Sequence, residues 1–444
     1  MIFTRLNKSS RPSTAIAMAL VIAGTGALGA TALEAPAFAQ KKKKEEKEEK
    51  GQYSKEFLAA YQPLDEIQKS EAPDAAAAKA AVPALVAATS SPDEKRATGG
   101  ALFNIGNKIA DEDMRLRGLE LMMESGTLEP ELAGQIGFAA YQAYSARNDI
   151  PAARQALESA IAANYSTTAT MSDGSQKTIG TPEMQRMIAD LYFNADQTQE
   201  GLAYVSETVN SLKAAGEPVP EQLIRVGLAQ AYENNLQPQS REYVAMLAEN
   251  YPSPAVWGDA VIITLNSGGY ANADALDLLR LSRRLNSYND TRVLAEYIEL
   301  LDSRRYPGEV VAAIDEGFAL SNVDKSDPFL IESRKEAAGR VSADRQGLSS
   351  LAADARKSGA TLKTLVVAGD TFLSYDQPAE AEEFYTKALG MSGVETPVVL
   401  TRLGIAQFDQ GKYSEAGETF RKVEGARKDI ANLWAIYTAQ KGGM

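Results

Sequence analysis

Two consecutive stretches near the C-terminus decide the fold: GDTFLSYDQPAEAEEFYTKA at residues 369–388 and GIAQFDQGKYSEAGETFRKV at residues 404–423. Each begins with a glycine, passes a turn signal, and reaches an alanine that is followed four positions later by an aromatic residue. Gly369 and Gly404 are 35 residues apart, and the two alanines have the same spacing. The pattern predicts a pair of antiparallel helices in each stretch, because small residues at a crossing let two helix backbones approach closely.

Weaker copies of the pattern continue upstream. Intervals of 35 residues separate Gly118 from Ala153, Ser240 from Ala275, and Ala275 from Val310. Apolar residues recur at helical spacing from residue 53 onward, and no segment alternates convincingly with a period of two. The sequence therefore predicts an all-α chain of short, repeated helices.

The repeats resemble those of the tetratricopeptide repeat (TPR) family, whose usual period is about 34 residues. The resemblance implies an α-solenoid of stacked antiparallel helix hairpins, with a period of about 35 residues in this chain and a C-terminal capping helix. A single hairpin cannot bury its apolar face alone, so neighbouring hairpins must stack and the ends need caps.

The chain also departs from the family pattern. Leu228 and Ile298 stand where glycine or alanine is usual, and a regular superhelix is least expected over residues 266–342. The interval between Val310 and the next strong repeat leaves room for one degenerate unit, which we place around Gly347 and Leu351.

The first forty residues have the pattern of a secretory signal peptide. Basic residues precede an uncharged apolar stretch from Ala15 to Leu33, and an A-x-A cleavage site ends at Ala39. An uncleaved membrane anchor is the alternative, because about 20 apolar residues can span a bilayer. Several glycines weaken the anchor interpretation, and there is no cysteine to acylate. We expect cleavage after Ala39 and no stable membrane insertion afterwards, which predicts a periplasmic or secreted bacterial protein.

The predicted organisation has five segments. They are a signal peptide at 1–39, a charged linker at 40–52, an N-terminal helical segment at 53–100, TPR-like helical repeats at 101–426, and a capping helix and tail at 427–444.

Composition excludes much enzymology. The 444 residues include no histidine and no cysteine, which removes thiol nucleophiles, histidine acid/base catalysis and zinc sites built on these ligands. The formal charge is −13, and loss of residues 1–40 makes it −15, which disfavours nucleic acid and anionic lipid as partners. The string from Gly24 to Gly29 matches G-x-G-x-x-G but lies inside the leader, so we treat it as chance. No cofactor and no metal is expected.

Polar clusters at predicted turns have two interpretations. The acidic run at 111–113 could be a carboxylate dyad or a cation site, but acids before a helix start also cap its free amides, which we favour. Residues 194–196 and 286–290 read as turns. The polar insertion Ser166–Gly180 is either a binding loop or a tolerated excursion, and the sequence favours neither.

The family resemblance also implies candidate binding residues. TPR proteins line a concave groove with the first helix of each hairpin, and the matching positions here are Gln142, Arg225, Tyr232, Asp370, Arg402 and Phe408. Tyrosine and arginine are favoured anchors at protein interfaces. The alternative is that these side chains pack between hairpins.

The most economical function is a non-enzymatic protein–protein interaction module or scaffold of the cell envelope, binding a peptide or protein partner. One alternative is an envelope hydrolase that uses carboxylates on a helical toroid. It is disfavoured because aromatic residues are only 7% of the chain, including two tryptophans, and no paired acidic motif stands on apolar flanks. A self-associating structural protein is a third reading.

Overall fold

The computed structural model describes residues 53–170, 174–286, 288 and 290–443. The predicted signal peptide, the charged linker and Met171 lie outside these described residues. Within the described ranges the chain is helical nearly throughout, with twenty α-helices that follow one another as antiparallel neighbours. This confirms the all-α class. The chain divides into two compact units, and the division in the sequence falls between Leu223 and Ile224.

The described part of the N-terminal unit holds eight helices and one pair of strands. They are α1 Lys55–Lys69, α2 Ala75–Ala88, α3 Pro92–Lys108, α4 Glu112–Ser125, α5 Pro130–Ala146, α6 Ile150–Ala162, β1 Thr167–Thr170, β2 Gln176–Ile179, α7 Thr181–Asn194 and α8 Thr198–Ala215. Helix α3 spans the domain boundary that we predict at residue 100, and the predicted boundaries stay predictions.

The C-terminal unit begins within α9 Glu221–Glu233. It continues with α10 Gln237–Asn250, α11 Pro254–Ser267, α12 Asn272–Leu285, α13 Thr291–Leu301, α14 Pro307–Phe318, α15 Pro328–Arg356, α16 Leu362–Ser374, α17 Pro378–Leu389, α18 Thr396–Asp409, α19 Tyr413–Arg421, a 3₁₀ turn Gly425–Arg427 and α20 Lys428–Gly442.

Eight hairpins share one turn geometry. In each, the loop between the two helices contains a residue with positive φ, between 53° and 75°. Glycine, asparagine and aspartate tolerate this left-handed conformation best, and seven of the eight turns use one of them. The turn residues are Ala110, Asn148, Asp196, Asn235, Gly269, Asp302, Asp376 and Gly411.

Glycines mark the helix crossings, as the repeat pattern predicts. A Cβ atom at Gly369 would lie 2.5 Å from the ring of Tyr385, and one at Gly404 would lie 2.6 Å from the ring of Phe420. Gly227 holds the same place under Tyr243, sixteen residues further along the chain. Our prediction that Leu228 occupies the small position is therefore wrong by one residue.

The departure from the repeat pattern at Ile298 has a physical cause in the hairpin of α13 and α14. In α13 and α14 the glycine changes helix: Gly317 of the second helix lies under Leu294 of the first, with 2.5 Å between its would-be Cβ and Leu294 Cδ2. The bulky Ile298 then becomes a buried core residue. This exchange keeps a close crossing without the usual glycine in the first helix.

The degenerate hairpin predicted around Gly347 and Leu351 does not exist. A single helix, α15, runs for 29 residues, which corresponds to about 44 Å at 1.5 Å per residue. No residue between its ends adopts positive φ, so nothing turns the chain back. Gly339 and Gly347 lie inside this helix, and no atom lies within 4 Å of the Cβ position of either one.

The polar insertion forms a small β-hairpin rather than an irregular loop. Strands β1 and β2 pair antiparallel, with Thr167 opposite Ile179 and Ala169 opposite Lys177. Ala169 and Ile179 are buried and anchor the hairpin. The short strands lack a period-two apolar pattern, which is why the sequence does not indicate them.

The last helix does more than cap the stack. Helix α20 packs on α19, but it also returns to the beginning of its own unit. Gln440 Nε2 donates to the carbonyl oxygen of Ala248 at 2.8 Å, and the rings of Tyr437 and Trp257 meet edge to face at 5.6 Å. Repeats of an open stack contact only their neighbours, so the C-terminal unit closes on itself.

No helix in the described ranges has both the length and the apolar character needed to cross a membrane.

Candidate functional site

The six residues predicted to line a groove have different environments. Gln142 lies on α5 of the N-terminal unit and is half-buried. Arg225 and Tyr232 lie on α9 of the C-terminal unit, where Arg225 is half-buried and Tyr232 is 49% exposed. The remaining three are buried. They are Asp370 on α16, and Arg402 and Phe408 on α18.

The structure brings Asp370 and Arg402 together. Arg402 Nη1 donates to both carboxylate oxygens of Asp370, each at 2.9 Å. The hydroxyl of Tyr385 donates to the same carboxylate at 2.8 Å, and that of Tyr306 at 3.2 Å. All hydrogen-bonding directions of the aspartate point into the protein, so it is not presented to a partner at the surface.

The groove of these last hairpins is filled by α12 of the same chain. Asp277 of α12 accepts from Arg402 Nε at 3.1 Å and from Arg427 Nη1 at 2.7 Å. It also accepts from Arg280 Nη1, one turn along α12, at 2.9 Å. Trp434 of α20 donates its indole N–H to the backbone carbonyl of Asp277 at 2.9 Å. Arg402 and the Asp370 that it holds are therefore buried against this helix instead of lining an open groove.

A second set of contacts extends the charges toward α14. Arg280 donates to Glu309 through Nε at 3.0 Å and Nη2 at 2.7 Å, a bidentate pair. The Tyr297 hydroxyl donates to Glu309 Oε1 at 2.6 Å. Three carboxylates and three guanidinium groups therefore form one cluster, the buried ionic network, in which every residue is at most 4% exposed. Its members are Asp277, Glu309, Asp370, Arg280, Arg402 and Arg427.

The arginines lower the pKa of two acids of the network, Asp277 and Glu309. Burial alone would raise the pKa of Asp277, but Arg402, Arg427 and Arg280 outweigh burial and lower this pKa to about 2. Burial likewise opposes ionisation of Glu309, and Arg280 lowers its pKa to about 2. Acids paired in this way stay ionised near neutral pH, so the network suits a structural role better than proton transfer.

Phe408 joins an aromatic cluster instead of a binding surface. Its ring centroid lies 5.3 Å from that of Tyr437, 5.4 Å from Tyr413 and 5.6 Å from Trp434. Phe420 stacks on the other side of Trp434 at 5.6 Å. Helix α20 supplies two of these rings, so closure of the unit buries Phe408.

Ion pairs on the rim of the filled groove fasten the C-terminal end of α12. Arg283 forms a bidentate pair with Glu316 at 2.8 Å, and Arg284 forms one with Asp409 at 3.0 and 2.5 Å. Asp376 lies 3.4 Å from Arg283. Together with Asn286 these residues line a cleft of about 390 Å³. The charged side chains that line this cleft are paired with one another.

A different cleft opens beside Tyr232, and we call it the Tyr232 cleft. It has a volume of about 170 Å³ and lies between the ends of α9 and α11 and the start of α10. It is lined by Tyr232, Asn235, Gln237, Ser240, Ile262, Ile263, Asn266 and Ser267.

The acidic run at 111–113 has the capping role that we favour. Asp111 precedes α4, and its Oδ1 accepts from the backbone N–H of Met114 at 2.8 Å. Lys79 also pairs with Asp111 at 2.7 Å. Among the residues that the structure describes, no group of three or more acidic side chains is placed to hold a metal ion.

Sequence reasoning missed four members of the network: Asp277, Arg280, Glu309 and Arg427. One signal was available, since Asp277 and Arg280 lie one turn apart inside the leucine-rich stretch of α12. Opposite charges at that spacing amid apolar residues indicate a buried ion pair. Nothing local identifies their partners, which lie 29 to 150 residues away.

No protein family and no curated protein sequence matches the chain significantly. Among solved structures, one similar chain is described as the crystal structure of the P58(IPK) TPR domain. It is 11% identical, and the match covers 78% of this chain and 98% of that chain with a TM-score of 0.23. A likeness at this TM-score carries no functional conclusion. The assignment of an all-α, hairpin-repeat fold rests on the helices, turns and glycine crossings described above.

Proposed function

We propose that the protein is an exported, non-enzymatic protein-interaction module or scaffold of the bacterial cell envelope. Its partner is a peptide or protein segment that binds along α9. One observation carries this proposal: Asp370 and Arg402 are consumed inside the C-terminal unit, whereas Tyr232 on α9 remains 49% exposed.

The placement of Arg225 supports the same surface. Residues seven apart on a helix lie on one face about two turns from each other, so Arg225 and Tyr232 share a face of α9. A large aromatic and an arginine in such a pair are typical anchors of a protein interface. The envelope address rests on the leader pattern of residues 1–39.

Site-specific photo-crosslinking tests the proposal in the cells that produce the protein. A photoreactive phenylalanine analogue is placed at position 232, and in a matched control at Phe329, which is 45% exposed on α15. We expect a discrete protein partner to crosslink at position 232 and not at position 329. Binding of the purified partner should weaken about tenfold or more with Arg225→Ala, as for an interface anchor.

The same set of crosslinked proteins at both positions would sink the proposal. So would a captured partner whose affinity is unchanged by Arg225→Ala. Arg402→Ala is unsuitable as a surface probe, because Arg402 is buried and its loss removes the bidentate partner of Asp370 and one of the three arginines that pair with Asp277.

A further inference from the structure

The Tyr232 cleft contains hydrogen-bonding groups but no formal charge. None of its eight lining residues is Asp, Glu, Lys or Arg. The guanidinium of Arg241, which donates to Ser267, is already paired with Asp429 at 2.6 Å. A charged ligand group buried there would therefore meet no unpaired counter-charge, and a wholly apolar one would leave amides and hydroxyls without partners. The lining therefore selects a neutral group with many hydrogen-bonding atoms.

Two serines present acceptors to such a ligand. Ser240 donates its hydroxyl to the carbonyl oxygen of Leu236 at 3.0 Å, and Ser267 donates to that of Ile263 at 2.5 Å. Each hydroxyl proton is thereby committed to the protein. The Ser240 oxygen retains its lone pairs, whereas Ser267 Oγ also accepts from Arg241 Nη1 at 3.4 Å and so keeps one lone pair for a ligand. These positions favour a ligand that brings its own O–H or N–H donors.

Carboxamides supply the complementary donors. Asn235, Gln237 and Asn266 each carry two N–H donors and one carbonyl acceptor. Asn235 is held in place by the hairpin turn, where it adopts a φ of 56°. Neighbouring hydroxyls on a sugar ring both donate and accept, and carboxamides pair with two such hydroxyls at once.

The apolar part of the lining fits the remaining face of a sugar. Tyr232 provides an aromatic ring that is 49% exposed, and Ile262 and Ile263 provide aliphatic surface. The axial C–H groups of a pyranose form an apolar face that packs against aromatic rings.

We propose that the Tyr232 cleft binds one uncharged pyranose unit of a glycan. Its volume of about 170 Å³ is below the roughly 300 Å³ at which sites for drug-sized ligands begin, so a single ring enters and its neighbours remain in solvent. An extended peptide fits less well, because it offers one N–H and one C=O per residue over about 3.3 Å. A ring carries its hydroxyls around its whole edge.

Saturation-transfer NMR on residues 40–444 tests this site. The probes are three neutral trisaccharides, N,N′,N″-triacetylchitotriose, cellotriose and maltotriose. Glucosamine and glucuronate serve as charged comparisons, and N-acetylated, C-amidated Gly-Asn-Ser-Gly serves as an uncharged peptide. We expect transfer to one terminal ring of at least one trisaccharide, and a dissociation constant that rises tenfold or more in Asn266→Ala and Tyr232→Ala. Phe329→Ala, which removes another exposed aromatic ring, should leave the constant unchanged.

Absence of transfer to all three trisaccharides would overturn the proposal. Equal transfer in Asn266→Ala, a preference for either charged sugar, or stronger binding of the peptide would do so as well. Circular dichroism of each variant separates a lost site from a lost fold. The sugar site and the protein partner share Tyr232, so the variants that separate them are Asn266→Ala, which tests the sugar site alone, and Arg225→Ala, which tests the protein partner alone.

Discussion

At the residue scale, Asp277 is the acid of the buried ionic network that accepts from three arginines. Its carboxylate receives arginine donors from α12, from α18 and from the turn before α20. Replacing a whole buried ion network by apolar groups is often neutral, but removing one partner leaves uncompensated charge. The unit is therefore sensitive to a neutral substitution at this one position.

We expect Asp277→Asn to lower the free energy of unfolding by about 3 to 5 kcal/mol at pH 7, measured by urea unfolding. The same substitution at Asp376, whose side chain is 60% exposed, should cost about 1 kcal/mol or less. Equal decreases in the free energy of unfolding of the two variants would show that the buried ionic network does not determine the effect of Asp277→Asn.

At low pH, we expect a smaller difference in the free energy of unfolding between the wild type and Asp277→Asn. The folded-state pKa of Asp277 is about 2, below the value of roughly 4 for an unfolded aspartate. The carboxylate then contributes its full stabilisation above about pH 4 and loses it as the pH falls through 2. A gap that stays constant between pH 4 and pH 2 would contradict the lowered pKa.

The candidate residues show what sequence can predict at this scale. The repeat register predicts that Asp370 and Arg402 line a binding groove, and the structure buries both side chains. It does not identify what they face, because Asp277 lies 125 residues from Arg402 along the chain. Burial of these charges depends on a distant helix, and no local pattern encodes that.

At the element scale, glycine has two opposite roles in this chain. At Gly369 it permits a crossing that has no room for a methyl group, since the Cβ would lie 2.5 Å from the ring of Tyr385. At Gly347 it occupies an open helix position with nothing within 4 Å. The same residue type therefore stabilises one helix pair and weakens another helix.

The substitution of alanine at these two positions should have opposite effects. Gly347→Ala should stabilise the protein by about 0.5 to 1 kcal/mol, because glycine is entropically costly inside a helix. Gly369→Ala should destabilise it by about 1 to 3 kcal/mol through overpacking. Thermal unfolding of both variants measures whether each substitution raises or lowers stability. A loss of stability in Gly347→Ala as well would contradict the open environment of Gly347 in α15.

Helices and turns were mostly predictable, and the exceptions have physical causes. Stop and start residues such as Asp111 and Asp376 stand where the helices end. The absence of any such turn inside α15 is equally readable, but the repeat spacing suggested a hairpin there. The β-hairpin was missed because, among the described residues of its two strands, only Ala169 and Ile179 are buried.

At the scale of the whole molecule, the closure by α20 distinguishes the C-terminal unit from an open stack. Removing residues 424–444 should expose α10 and α12, although both are far from the cut in sequence. We expect hydrogen exchange in residues 237–285 to rise at least tenfold after this truncation. Removal of residues 442–444 alone, which leaves Gln440 and Tyr437 in place, is the matched control.

Faster exchange confined to α18 and α19 would mean that α20 serves only as a cap on its neighbour. That outcome would also weaken the interpretation of the filled groove, because Trp434 contacts Asp277 from α20. The sequence predicted a capping helix at 427–444 but contained no sign of its return to α10, since closure is a property of the curved stack.

Closure by the final helix also fixes the order of events during synthesis. Trp434 must pair with Asp277, a residue made 157 positions earlier. A ribosome adds roughly 5 to 20 residues per second, so about 8 to 30 s separate the two in time. During that interval the C-terminal unit lacks helix α20. Contacts between residues so far apart in sequence also slow folding. The chain can complete this unit only after α20 has left the ribosome.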